Sequence, residues 1–283
     1  MEKVCSYEQY AQISAEFKSG KPICSTNKLM TRDELEALIA ADKLYYAEID
    51  GVLWFFVHEG YYYSANFFVP ADANIHMHGQ DMDVLVELTG NQRRYNEKWE
   101  QELIAAGYQK GDKRLEWSAR IEDILDTVQE QDAVRSARFK ERGFFYRKAT
   151  RSDAAELEKL WEDRLGKERH VLTQITEAEW NEMEKFGRCD VICTSSGEIA
   201  AAYVYKKQNK IGYAFHAAAL YQGQGLGSAV LYRLIKSAYE AGCAKFSCWI
   251  REDNAESIKM HRHVLNPTGK YYWQFVYRAK KKE

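Results

Sequence analysis

Residues 221–228, "YQGQGLGS", follow the small and apolar run "YAFHAAAL" and precede "AVLYRLIKSAYEAG". Gly223, Gly225 and Gly227 stand at alternate positions between a strand-like segment and a helix-like one. Glycine weakens the interior of either element, so a cluster at their junction marks a sharp turn or a close approach of backbone to a ligand. In the segment that follows, Val230, Leu231, Leu234, Ile235 and Ala238 fall on one face and Gly242 stands where a C-terminal cap belongs, which predicts an amphipathic helix. Its first turn would present amides without intrahelical acceptors and the positive end of the helix dipole. Together these make a phosphate site.

A Walker loop needs GxxxxGK followed by Ser or Thr, and no lysine stands here. The dinucleotide fingerprint GxGxxG finds Gly223 and Gly225 but Ser228 in place of its last glycine, and too little chain follows for a doubly wound sheet. A glycine-rich turn without a ligand is the plain alternative. The spacing Gln222, Gly225, Gly227 reads Q-x-x-G-x-G. With that loop, the chain from about Phe144 to Arg278 resembles the GCN5-related N-acetyltransferase (GNAT) family, in the order of its elements as well. A strand and helix ("FFYRKATRSDAAELEKLWEDRL") lead to a second helix with Trp180, a hairpin, the strand before the loop, the loop helix, a strand at Phe246 to Ile250, and a last helix headed by Asn254 and Ser257.

The resemblance implies an α+β fold in α/β/α layers, acyl-CoA N-acyltransferase-like, with a mixed, mostly antiparallel central sheet. In such proteins the strand before the loop splays from its neighbour and its free amides hold pantetheine, while the loop amides hold the pyrophosphate of acetyl-CoA. Carried over by position, Ala217, Ala218 and Ala219 supply the strand amides, and Gln222, Gly223, Gln224, Gly225, Leu226, Gly227 and Ser228 form the loop. Asn254 and Ser257 would meet the pantetheine arm; for Asn254 the alternative is a plain helix cap. The family's last helix usually ends in a tyrosine that protonates the departing thiolate, and that position is His261. A histidine titrating near ~6.5 is able to donate a proton. The usual "LGF" that follows is replaced by "LNPTGKYYW", so Tyr271 and Tyr272 are alternative acids. His216 is the candidate base, with a core histidine, or a water chain in its stead, as the alternatives.

The first half makes similar moves. Asp50-Gly51 between two apolar runs signals a hairpin, as Ser196-Gly197 does later. "DVLVELTGNQRRYNEKWEQELIAAGY" repeats a strand followed by a helix, with Asn91 read as its opener in the place of Asn254. Between the strands ending near Val69 and starting near Val84 there is only "PADANIHMHGQDMD", with neither glycine loop nor long helix. The expectation is a tandem repeat: a degenerate domain over 1–120 that cannot hold CoA, a connecting helix or linker over 121–142 without a strong apolar stripe, and a GNAT domain over 143–283.

Composition sets the outer bounds. The 283 residues are 46% hydrophobic with a net charge of -2, and 40 basic face 42 acidic side chains, which argues against a nucleic-acid or membrane-surface footprint. The polar N-terminus and the lack of an apolar span point to the cytoplasm. The six cysteines form no CxxC and read as reduced structural thiols. His76 and His78 share a strand face without a third ligand nearby, so no metal is expected. The function implied is transfer of acetyl from acetyl-CoA to an amine of a small molecule or peptide; a non-catalytic CoA-binding regulator is the alternative. Acceptor identity and oligomeric state are not legible.

Overall fold

The computed structural model describes residues 1–21, 24–60, 62–76, 82–91, 97–165, 175, 177–221 and 223–279. The chain forms two compact units, Met1–Arg114 with Gly269–Glu283, and Leu115–Thr268.

The first unit opens with β1 (Glu2–Lys3), α1 (Tyr7–Lys18), β2 (Cys24–Thr26) and α2 (Arg32–Ala40). Strands β3 (Leu44–Ile49), β4 (Val52–His58), β5 (Tyr62–Pro70) and β6 (Asp83–Asn91) follow, then α3 (Glu97–Ala105) and β7 (Gln109–Arg120), which from Leu115 on belongs to the second unit. The two-residue turn between β3 and β4 sets Asp50 at φ 49° and Gly51 at φ 79°, the left-handed pair that matches strand twist. β4 reads as an unbroken apolar run because both of its faces are buried: Val52, Trp54 and Phe56 pack with Leu103 of α3, while Leu53, Phe55 and Val57 pack with Phe17 and Leu35 of α1 and α2. Asn91 ends a strand instead of opening the helix, which starts at Glu97.

The parallel pairing of β5 with β6 runs from Tyr62 opposite Asp83 to Ala65 opposite Val86. Past that point β2 lies against β5, with Thr26 opposite Phe68. Beside it the Asn27 side chain bridges the two strands. Its Nδ2 donates to Ala65 O at 3.3 Å and to Glu87 O at 3.1 Å, and its Oδ1 accepts from Phe67 N at 2.8 Å. The gap between these strands is thus filled by the unit's own chain.

The second unit takes up α4 (Ile121–Glu141), β8 (Phe144–Lys148), α5 (Ala154–Leu165), α6 (Glu177–Lys185), β9 (Cys189–Thr194), β10 (Ile199–Gln208), β11 (Ile211–Ala219), α7 (Leu226–Glu240), β12 (Lys245–Arg251) and α8 (Ala255–His261). The last strand, β13 (Asn266–Tyr277), runs antiparallel to β6 in the first unit, with Tyr271 opposite Gly90 and Tyr272 opposite Thr89. In the second unit β9, β10 and β11 are antiparallel neighbours, and β11 pairs parallel with β12. One face of this sheet packs on α5 and α6 and the other on α7 and α4, giving three layers. The expected layered, mixed fold is present, and the strand order of the second unit repeats that of the first.

Helix α4 is more than a connector. Ile121, Val128, Asp132, Arg135, Phe139 and Arg142 follow at steps of seven, four, three, four and three along one stripe, of which Ile121, Val128, Asp132 and Phe139 are buried. Asp132 makes the stripe hard to see as apolar. It is buried in ion pairs with Arg233 at 3.2 Å and Lys236 at 3.4 Å on α7.

Candidate functional site

The site grows from the end of β11. Its parallel register with β12 stops at Ala214 opposite Cys248, although both strands continue. A bulge at the same level leaves Phe215 as an extra residue, since Val204 pairs with His216 and Tyr205 with Ala214. The bulge breaks strict alternation. Ala214, Ala217 and Ala219 turn to the α7 side, whereas Ala218 turns to the α5–α6 side.

Leu220 N donates to Ala200 O at 2.8 Å, so by the two-residue period Ala218 N–H also points to β10. The amides of Ala217 and Ala219 then point to the side where β12 has parted. Of the three alanines expected to offer amides, Ala217 and Ala219 present them at this edge and Ala218 spends its own on the sheet.

The loop continues the same line. Gly223 and Gly225 adopt φ of 74° and 77°, a region open to glycine. Gly225 is the N-cap of α7 and supplies no side-chain cap. The first helical bond is Ala229 N to Gly225 O at 3.0 Å, which leaves the amides of Leu226, Gly227 and Ser228 without helical acceptors. At Gly227 an added Cβ would meet Met260 Sδ at 3.0 Å, so this glycine permits the approach of α8. Gln224 is exposed, and its Oε1 accepts from Arg142 Nη2 at 2.6 Å. Gln222 lies outside the described residues.

Asn254 is the N-cap of α8, its Oδ1 accepting from Ser257 N at 2.9 Å. This is the plain capping arrangement. Ser257 in turn accepts at its carbonyl oxygen from His261 Nδ1 at 2.8 Å.

His261 does not have the setting of a general acid. It is 2% exposed, and burial lowers its pKa to about 4. A carbonyl partner obliges Nδ1 to carry the proton, so Nε2 of the neutral ring is the acceptor for the Tyr203 hydroxyl at 2.9 Å. Cys248, whose thiol pKa burial pushes up, lies in the same core cluster as Tyr203. These side chains form a closed polar chain inside the α7-side core. Nothing in it is free to protonate a thiolate.

His216, the candidate base, is likewise 2% exposed, its ring 5.1 Å from that of Trp161 on α5. This is a core setting. Tyr271 and Tyr272 stand in the first unit's sheet, where burial raises the pKa of Tyr272. Among the described residues no group of three or more His, Cys, Asp or Glu is placed to hold a metal ion, and His78 lies outside them. No described helix is long and apolar enough to cross a membrane.

Sequence reading missed Arg135 and Arg142. Their spacing of two helical turns puts both on the α7-facing stripe, but only the packed structure brings them to the loop. It also missed Glu116, a buried carboxylate on β7 that accepts from Ser247 Oγ at 3.1 Å and Thr268 Oγ1 at 2.7 Å.

Residues 154–265 match the model of the Acetyltransferase (GNAT) family. A comparison with curated proteins finds no match. Among solved structures, a GCN5-related N-acetyltransferase from Kribbella flavida aligns with TM-score 0.55 and 15% identity over 85% of this chain and 91% of its own. One from Sphaerobacter thermophilus aligns with TM-score 0.51 and 10% identity over 80% and 76%. A tandem GNAT protein from the clavulanic acid biosynthesis pathway aligns with TM-score 0.50 and 9% identity over 82% and 80%. At these identities the likeness is one of fold, and it extends over both units.

Proposed function

Starting from a chain whose residues 154–265 match the Acetyltransferase (GNAT) family model, we propose that the protein is an acetyl-CoA-dependent N-acetyltransferase whose second unit holds the donor. The observation that carries this reading is the succession of the parted edge at Ala217 and Ala219, the left-handed glycines Gly223 and Gly225, and the amides without helical acceptors in the first turn of α7. A pantetheine arm offers amides to such an edge, and a diphosphate suits the helix start. The thioester carbonyl would lie among backbone donors as its oxygen gains charge, which is where acyl transfer needs them. An amine of a small molecule or peptide would attack that carbon and expel the CoA thiolate, and the proton released by the amine would pass through solvent to the sulfur, giving the amide and free CoA. The first unit, with Asn27 in its corresponding gap, would hold no donor.

Calorimetric titration of the full chain with acetyl-CoA tests this. Binding in the micromolar range, about 8 kcal/mol, is expected, with loss in Gly225→Glu, which puts a carboxylate at the amide cradle. An absence of binding by the wild type would overturn the reading.

One observation favours a second reading. Since the one proton of His261 is held by the Ser257 carbonyl, a CoA-binding protein without turnover fits the same cleft. Binding of acetyl-CoA without loss of its acetyl group across a panel of amines would select it.

A further inference from the structure

The loop that would carry the diphosphate has no cation of its own: residues 221–228 include neither lysine nor arginine. Positive charge reaches it from α4, which lies upstream of the residues matched by the family model. Arg142, at the C-terminal cap of α4, donates from Nη2 to Gln224 Oε1 at 2.6 Å. Arg135, two turns earlier, places Nη1 3.3 Å from where a Cβ on Gly225 would stand. Its guanidinium lies over the Tyr232 ring of α7 at 5.2 Å, and its Nε is buried without a hydrogen-bond partner. Among the described residues neither arginine has a carboxylate at ion-pair distance, in contrast to Arg233, which α4 binds through Asp132. One guanidinium bonded to a loop side chain and a second beside Gly225, both without a carboxylate partner, complement a bound phosphate in charge.

We infer that Arg142 and Arg135 are positioning residues for the phosphates of the acyl donor. Arg142 exchanges the neutral Gln224 oxygen for a phosphate oxygen, while Arg135 faces the diphosphate from the Gly225 side. Donor affinity in this protein therefore depends on a helix outside the GNAT domain itself. The inference rests on the donor reading of the loop.

The experiment is calorimetric titration of CoA into the full chain at roughly 0.05 M and 0.5 M salt, where screening of exposed charge differs strongly. Wild type, Arg142→Ala, Arg135→Ala and Arg142→Lys are compared. Each alanine variant is expected to bind CoA about 10- to 100-fold more weakly at low salt, as loss of a hydrogen bond to a charged group predicts. The salt dependence should flatten with it, and Arg142→Lys should recover part of both. A wild type that binds no CoA would remove the donor reading and this inference together. A wild type that binds, with alanine variants within about twofold of it or weakened with an unchanged salt dependence, would overturn the inference alone.

Discussion

Tyr203 donates its hydroxyl to His261 Nε2 across 2.9 Å because His261 Nδ1 is already committed to the Ser257 carbonyl. The pair closes a polar chain inside an apolar core and holds the ring neutral.

A pH-dependent stability follows from that neutrality. The unfolded histidine titrates near 6.5, and burial lowers the folded ring to about 4. Between those values the unfolded chain takes up a proton that the folded chain refuses, so stability falls as pH drops through this window and is insensitive to the group above it. The loss from this group should reach about 2 kcal/mol by pH 5. Urea unfolding at pH 7 and pH 5 measures it. His261→Phe should remove about that much of the difference between the two pH values, whatever its effect on absolute stability; an unchanged difference would show that the ring does not titrate as its burial requires.

The bridge at Asn27 predicts a cost in the first unit. Asn27→Ala strands Ala65 O, Glu87 O and Phe67 N in a buried place, and unmet backbone groups cost about 1–3 kcal/mol each when water cannot replace the partner. A total of at least about 3 kcal/mol in urea unfolding is expected. Asn27→Asp should be no better, since it keeps an acceptor for Phe67 but turns a carboxylate oxygen toward two carbonyls. If either variant unfolds like the wild type, the bridge is not what joins these strands.

The cysteines offer a direct probe of burial. Cys5 is exposed and Cys24 partly so, whereas Cys189, Cys193, Cys243 and Cys248 are buried. Burial pushes the thiol pKa up in all four of the buried residues, so they hold little thiolate near neutral pH. A thiol reagent should label Cys5 rapidly and Cys24 more slowly in native protein, with the other four reacting after denaturation. Fast native labelling of Cys248 would contradict its place between Tyr203 and the α7-side core.

What was legible in the sequence was local. The glycine loop, the hairpins at Asp50-Gly51 and Ser196-Gly197, and the stripe of α7 each follow from backbone freedom or periodicity within a few residues. The parts that escaped depend on contacts between distant residues. Strict alternation along β11 could not foresee the bulge at Phe215, which a mismatch with β10 creates. Asn91 looked like a helix opener by analogy with Asn254, yet strand pairing with Lys270 claims it. The α4 stripe was hidden because one of its buried positions is Asp132, whose partners stand on another helix. For the same reason His261 passed as an acid: its residue type allows the role, and only its packing withdraws the proton.

The packing of α4 predicts how the chain can be cut. A fragment of residues 143–283 contains every residue matched by the family model but lacks Ile121, Val128 and Phe139, which are buried with Val230 and Leu234 in one core cluster. Each such side chain contributes about 1.5–3 kcal/mol when fully buried. Their joint loss is comparable with the whole stability of an ordinary domain, about 5–15 kcal/mol. The fragment is expected to show no cooperative unfolding in urea followed by circular dichroism, whereas 115–268, which restores α4, should unfold in one transition. Cooperative unfolding of 143–283 at wild-type midpoint would mean that the helix only rests on the domain, and the charge it brings to the glycine loop would then be delivered by a replaceable arm.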